Sequence, residues 1–123
     1  MLTLVFGDSA PAPAVEMGPF PEIRCDGELM SAGGRPIAEH RDHYWFIDGR
    51  RFFRIDCKGP VRAHFEDGAE RSQTIGPFVH FSCADGIAYA DGEICGHVDM
   101  DTKLWYSPRD GREWREMVVQ PAG

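Results

Sequence analysis

Hydrophobic and polar side chains alternate along much of this chain with the two-residue period of a β-strand. In the clearest stretch, Val61, Ala63 and Phe65 are separated by polar residues. Because successive side chains of a strand point to opposite faces, this alternation predicts a half-buried strand. Other short runs are rich in the β-branched and aromatic residues that strands favour, and they read HYWFID, RFFRID, PFVHFSC and EWREMVV.

Turn signals separate these runs at short intervals. An Asp-Gly dipeptide between apolar runs is the strongest local sign of a β-hairpin, because both residues tolerate a positive φ. Such dipeptides occur at Asp26-Gly27, Asp48-Gly49, Asp67-Gly68, Asp85-Gly86, Asp91-Gly92 and Asp110-Gly111. Helical patterning is weak by comparison, so the sequence predicts an all-β chain.

The chain also repeats itself. Gly18-Pro19-Phe20 recurs 58 residues later as Gly76-Pro77-Phe78, and Cys25 recurs as Cys83 at the same spacing. With small gaps, the alignment continues through an Asp-Gly pair, a His-x-Asp pair, a tryptophan and an Asp-Gly-Arg turn. A match of this length in one order indicates a duplicated structural unit.

From these patterns we predict two tandem repeats of about four short antiparallel strands each, packed as a sandwich or a barrel-like roll with approximate two-fold symmetry. The predicted repeats span residues 18–56 and 76–119 of a single globular domain. Residues 1–17 are predicted to be an extended lead-in with one short strand, and residues 57–75 a connecting hairpin. Residues 120–123 are predicted to be a frayed tail.

Length and composition restrict the function. The 123 residues, 42% hydrophobic and 27% charged, are typical of one folded domain. The net charge of −7 disfavours binding to nucleic-acid phosphates. No apolar run reaches the ~20 residues needed to span a bilayer, so we expect no membrane partner.

The N-terminal and cysteine patterns predict a cytoplasmic protein. The first residues, MLTLVF, are too short for the apolar core of a signal peptide and lack a basic flank. The four cysteines, Cys25, Cys57, Cys83 and Cys95, lack the close pairing that is typical of zinc ligands. We therefore expect reduced thiols that behave as small buried hydrophobes, with no metal and no cofactor.

Tryptophans are the first candidate binding residues. Trp45 and Trp105 match each other in the repeat alignment, and Trp114 follows the last Asp-Gly turn. A tryptophan side chain offers a large rigid surface that stacks on a sugar or anchors a protein interface, although it more often fills a core. The sequence leaves both roles open.

The segment from Ser107 to Trp114 resembles the Asp-box of sialidase-type β-propeller blades, which runs Ser-x-Asp-x-Gly-x-Thr-Trp. Serine, glycine and tryptophan are in place, whereas Asp110 sits one position late and a glutamate replaces threonine. The resemblance implies residues that brace a turn, and two blades would need a homo-oligomer to close a ring. Residues 107–109 lengthen this turn relative to the first repeat, which makes Ser107 and Arg109 binding candidates of their own.

Two His-x-Asp pairs are the most suggestive polar groups, His40 with Asp42 and His97 with Asp99. Within a strand both members of a pair lie on one face, where the carboxylate could orient the histidine as a base or metal ligand. No nucleophile elbow, zinc-protease motif or glycine-rich phosphate loop accompanies them. A structural feature copied with the repeat is the competing interpretation.

Basic residues gather in the first repeat and just after it, at Arg50, Arg51, Arg54, Lys58 and Arg62. Alternation across a hairpin would place several of them on one exposed face, where an anion or an acidic partner could bind. A solvated strand face is the alternative.

Together these features favour a non-catalytic acidic binding protein that recognises a macromolecular partner, another protein above all, as inhibitors and immunity-type proteins do. A small lectin-like module that binds carbohydrate through the tryptophan-bearing hairpins is the alternative. An enzyme built around the His-x-Asp pairs is a second alternative.

Overall fold

The computed structural model describes residues 1–8, 14–58, 60–68 and 71–122, which form sixteen β-strands and no helix. In chain order the strands are β1 (Leu2–Gly7), β2 (Val15–Phe20), β3 (Ile23–Cys25), β4 (Leu29–Ala32), β5 (Arg35–Arg41), β6 (Tyr44–Ile47), β7 (Arg50–Phe52), β8 (Arg54–Lys58), β9 (Val61–Glu66), β10 (Ser72–Phe78), β11 (Phe81–Ala84), β12 (Ile87–Ala90), β13 (Glu93–Val98), β14 (Trp105–Tyr106), β15 (Glu113–Trp114) and β16 (Glu116–Pro121).

Alternation in the sequence decides which face of a strand is buried. In β9, Val61, Ala63 and Phe65 are buried, and the polar residues between them are half-buried, as predicted. Strand β1 alternates in the same way, with three buried apolar residues. Each strand thereby contributes an apolar face to a shared interior.

The strands form two antiparallel sheets of eight. The order in the first sheet is β15-β14-β13-β12-β11-β8-β1-β2, and the order in the second is β10-β9-β16-β3-β4-β5-β6-β7. Buried side chains from both sheets belong to one hydrophobic core, so the architecture is sandwich-like. This confirms the all-β prediction in its sandwich form.

The two halves of the chain interlock. Strands β1, β2 and β8 join five strands of the second half, β11 to β15, in the first sheet. In the second sheet, β9, β10 and β16 join β3 to β7. The two sheets have the same order, because each strand from β1 to β8 has the place in one sheet that the strand numbered eight higher has in the other. Neither half completes a sheet by itself. The order agrees with a duplicated chain, and close two-fold symmetry of the halves stays a prediction.

Strands also occur outside the predicted repeats. The lead-in contains β1 and the start of β2, and the connecting segment contains β9 and most of β10. Gln120 and Pro121 belong to β16, where they pair with Arg62 and Val61. Residues 9–13, with both prolines of the lead-in, and Gly123 in the tail lie outside the described residues.

Three of the predicted Asp-Gly turns have the backbone expected of a tight hairpin. Both residues have positive φ at Asp48-Gly49, Asp85-Gly86 and Asp91-Gly92. This conformation matches the twist of the flanking strands, and aspartate and glycine tolerate it well. The Asp85-Gly86 turn connects β11 to β12.

Candidate functional site

All three tryptophans lie in the core. Trp45, Trp105 and Trp114 are 4%, 2% and 1% exposed, and the last two pair with each other across β14 and β15. The ring of Phe65, from the opposite sheet, packs against both at centroid distances of 6.4 and 6.3 Å. Burial removes these side chains from the surface on which a sugar would stack. Of the two roles that the sequence left open, the structure therefore favours the core.

The first His-x-Asp pair is divided between core and solvent. His40 is 3% exposed, and its ring packs on Trp45 with centroids 4.9 Å apart. Burial lowers the pKa of His40, while a backbone hydrogen bond with Gly27 acts in the opposite direction. Asp42 lies beyond the end of β5, in a turn with φ of 50°, and is exposed. The expectation that both share one strand face is wrong because the strand ends at Arg41.

The second pair is separated in a different way. His97 is exposed and stacks on Tyr106 of the neighbouring strand, with centroids 5.3 Å apart. Asp99 follows the end of β13 and accepts hydrogen bonds from the backbone N–H groups of Thr102 and Asp101, at 3.1 and 2.8 Å. These bonds lower the pKa of Asp99, and they identify it as a turn-forming residue.

Strand register shows that His40 and His97 are not equivalent. His40 pairs with Trp45, but the residue that pairs with Trp105 is Val98. A gap of one residue in the sequence alignment therefore matched the wrong positions. Since side chains alternate between faces, a slip of one residue exchanges a buried position for an exposed one.

Loops from both sheets meet beside His40. His43, between β5 and β6, contacts the carboxylate of Asp85, between β11 and β12, through Nδ1. Gly27, between β3 and β4, approaches the backbone of Lys103, before β14. Sequence reasoning selected Asp85 as a turn residue but missed His43, because their contact joins two distant hairpins.

The long turn before Trp114 is braced as the Asp-box resemblance implies. The Ser107 N–H donates to the Arg112 carbonyl at 3.0 Å, and the Gly111 N–H donates to the Ser107 carbonyl at 2.9 Å. The Asp110 carboxylate accepts a hydrogen bond from the Arg112 N–H at 3.0 Å. Asp110 thus stabilises the turn rather than facing a ligand.

Ser107 and Arg109 line a cavity between the sheets. Its volume is about 110 Å³, and its walls come from β9, β10, β12, β13 and the turn after β14. The lining residues are Phe65, Gln73, Ile75, Phe78, Ala90, Glu93, Ile94, Cys95, Ser107, Pro108 and Arg109. Ser107 is buried, whereas Arg109 is exposed. Of the residues selected from the sequence, these two are brought together at a cavity.

A second candidate surface covers the outer side of β5 to β7. The Arg41 guanidinium lies over the Phe46 ring, 4.2 Å from its centroid, and the Arg51 guanidinium lies 4.5 Å from the Tyr44 centroid. Phe46 pairs with Arg51 across the strands, and Tyr44 pairs with Arg41. We call these four residues the arginine–aromatic face. Its aromatic rings are half-buried and its arginines are exposed.

The basic stripe predicted from the sequence is only partly continuous. Arg54 forms an ion pair with Asp56 at 2.9 Å on the first sheet, away from Arg51 on the second. Arg62 lies in β9, near the other edge of the second sheet, and the Lys58 side chain lies outside what the structure describes. Sequence reasoning missed Arg41, Tyr44 and Phe46 as partners of Arg51, although the strand alternation contained the signal.

No protein-family model, curated protein or solved structure matches this chain. Within the described ranges, no helix has the length and apolar character needed to cross a membrane. The same residues contain no group of three or more histidine, cysteine, aspartate or glutamate side chains placed to hold a metal ion.

Proposed function

We propose that this protein is a small cytoplasmic binding module of the inhibitor or immunity type, which recognises a protein partner through the arginine–aromatic face. The observation that carries this proposal is the close packing of Arg41 on Phe46 and of Arg51 on Tyr44. Arginine and aromatic side chains are enriched at protein interfaces, and such residues often dominate the binding free energy.

The packing prepares this face for binding. A guanidinium held over an aromatic ring loses less side-chain freedom when a partner arrives than a free arginine would. The ring remains half-buried beneath it, so a partner that covers the pair removes both apolar and cationic surface from water.

Charge favours an acidic partner segment. Across β5 to β7, from Arg35 to Phe52, the chain has four arginines and three carboxylates, although its net charge is −7. The excess of positive charge on β5 to β7 would attract an acidic segment, while the rest of the acidic surface would repel it from other orientations.

The test is affinity capture from the native host, followed by binding measurements with each purified candidate. We compare the wild-type protein with Arg51→Glu on the face and Arg112→Glu as a matched charge reversal. Arg112 is exposed in the turn before β15, on the other sheet, and pairs only weakly with Asp110 at 3.5 Å. The proposed partner binds the Arg112→Glu variant normally and the Arg51→Glu variant at least about tenfold more weakly.

Two further measurements sharpen the result. Tyr44→Ala should weaken the same complex, and rising salt should slow association because charge steers the encounter. Melting temperatures of all variants are measured first, so that loss of binding is separated from loss of fold. A partner that binds Arg51→Glu and Tyr44→Ala as tightly as the wild type would refute the proposed surface.

A further inference from the structure

The cavity that contains Ser107 and Arg109 lies far along the second sheet from the arginine–aromatic face, since β10 and β7 form opposite edges. Six of its eleven lining residues are aliphatic or aromatic, and four, Gln73, Glu93, Ser107 and Arg109, are polar or charged. Ligand sites commonly combine an apolar lining with a small number of placed polar groups.

At the matching positions of the strand order in the first half, apolar side chains pack against the hydrophobic core. In β2, Val15 pairs with Phe6, and in β10 the counterpart of Val15 is Gln73, which pairs with Phe65. Val15 packs against the hydrophobic core. An amide therefore takes the place of an isopropyl group at the same point of the strand order.

Two further positions differ between the halves in the same way, with the more apolar side chain in the first half. Ile47 lies two residues after the buried tryptophan of β6, and Ser107 lies two residues after the buried tryptophan of β14. Ile37 in β5 and Cys95 in β13 are the residues left without a partner where the pairing with β4 and with β12 shifts register. At all three positions the second half carries a smaller or more polar side chain, and there the cavity opens.

Certain polar groups at this cavity lack partners among the residues that the structure describes. The Gln73 Oε1 atom is buried and accepts no hydrogen bond from any described residue. Leaving such an atom unsatisfied destabilises the folded state, so a native structure needs a reason to keep it. Arg109 and Glu93 line the cavity without forming an ion pair in the described part of the chain, and both are exposed.

We propose that this cavity binds a free α-amino acid with a branched aliphatic side chain. The apolar walls receive the side chain, Arg109 binds the carboxylate, and the ammonium group donates to Gln73 and lies near the charge of Glu93. A volume of about 110 Å³, below the ~150 Å³ of a cavity that admits benzene, suits a small side chain such as an isobutyl group.

Three probes separate the parts of this recognition: L-leucine, 4-methylpentanoate, which lacks only the ammonium group, and isoamylamine, which lacks only the carboxylate. Binding is followed by backbone amide shifts in NMR spectra of the full chain. L-leucine should shift the amides of Gln73, Cys95 and Ser107 and bind at least about tenfold more tightly than either analogue. No shift with L-leucine, or equal binding of isoamylamine, would overturn the proposal.

Variants taken from the first half of the chain provide the second arm. Ser107→Ile and Gln73→Val introduce the side chains found at the matching positions, and each should abolish L-leucine binding while the protein stays folded. If one of them fails to fold, the other decides the result. Arg109→Gln should weaken binding at least about tenfold, whereas Arg112→Gln in the same turn should leave it unchanged. Unchanged binding by Arg109→Gln contradicts the proposal, and none of these results depends on the arginine–aromatic face.

Discussion

Trp105 donates its indole N–H to the carbonyl oxygen of Cys25, 3.0 Å away and 80 residues earlier in the chain. Trp105 belongs to the first sheet and Cys25 to the second, so the bond connects the two sheets inside the core. A tryptophan that is 2% exposed thereby keeps its one polar atom satisfied.

Replacing this tryptophan should destabilise the protein strongly. We expect Trp105→Ala to lower the free energy of unfolding by about 3–5 kcal/mol through the cavity that it leaves. Trp105→Phe should cost less, about 1–3 kcal/mol, because it mainly leaves the Cys25 carbonyl unpaired. Urea unfolding measures both. Tyr106→Phe, which removes a 3.1 Å hydrogen bond to Glu113 at the surface, is the control and should stay within about 0.5 kcal/mol of the wild type.

Burial of His40 should make stability depend on pH. Its pKa is lowered by burial and further by the charges of Lys103 and His43, against the opposing effects of the Gly27 backbone and Asp85, so the folded protein holds it neutral where the unfolded chain binds a proton. Stability should therefore be fully present above the unfolded pKa of ~6.5 and be lost as the pH falls below it. Melting temperatures of His40→Gln between pH 8 and pH 5 should show a smaller loss than the wild type. The exposed His97→Gln variant is the control, and an equal loss in His40→Gln would contradict the interpretation.

The contact between Gly27 and the loop before β14 should be sensitive to a single methyl group. A Cβ atom on Gly27 would lie 2.6 Å from the carbonyl oxygen of Lys103, whereas one on Gly34 would meet nothing within 4 Å. Both glycines have positive φ, so backbone strain of about 1 kcal/mol is common to the two alanine variants. We expect Gly27→Ala to be less stable than Gly34→Ala by at least about 2 kcal/mol in denaturant unfolding. Equal stability would mean that the two loops separate without loss.

Cysteine thiols should be nearly inert in the folded protein. Burial raises the pKa of Cys57 and of Cys95 to about 12, and it raises the pKa of Cys25 and Cys83 as well. Because the thiolate is the reactive form, a thiol reagent at pH 8 should label all four rapidly only after denaturation. Cys95 is the least buried and lines the cavity, so it should react first in the native protein. Rapid labelling of Cys25 before unfolding would show that the core opens.

Much of the local structure could be predicted because its causes lie within a few residues. Alternation identified the buried face of β9, and Asp-Gly pairs identified turns such as Asp48-Gly49 and Asp91-Gly92, since the physical preference belongs to those residues. The candidate sites depended on contacts between residues that are far apart in the sequence or on different strands. The partners of Arg51 lie on β6, and the cavity of Ser107 is completed by Gln73 from the other sheet.

The His-x-Asp pairs show why sequence matching fell short there. An alignment optimises identities, and it accepted a gap that placed His40 opposite His97. Strand register makes His40 and Val98 equivalent instead, because each pairs with the buried tryptophan of the next strand, Trp45 or Trp105. The outcome is a buried neutral histidine and an exposed stacked one, which share no environment.

By itself, the sequence of this protein determined an all-β chain, the inward faces of its strands and the positions of several tight turns, because side-chain alternation and backbone preference act locally. Only the tertiary structure decided that β8 and β16 pair with strands of the opposite half, and that Trp45, Trp105 and Trp114 are interior. The physical reason is that each sheet buries its apolar face only against the other. Which groups reach the surface, the core or the cavity therefore depends on register and pairing across the whole chain.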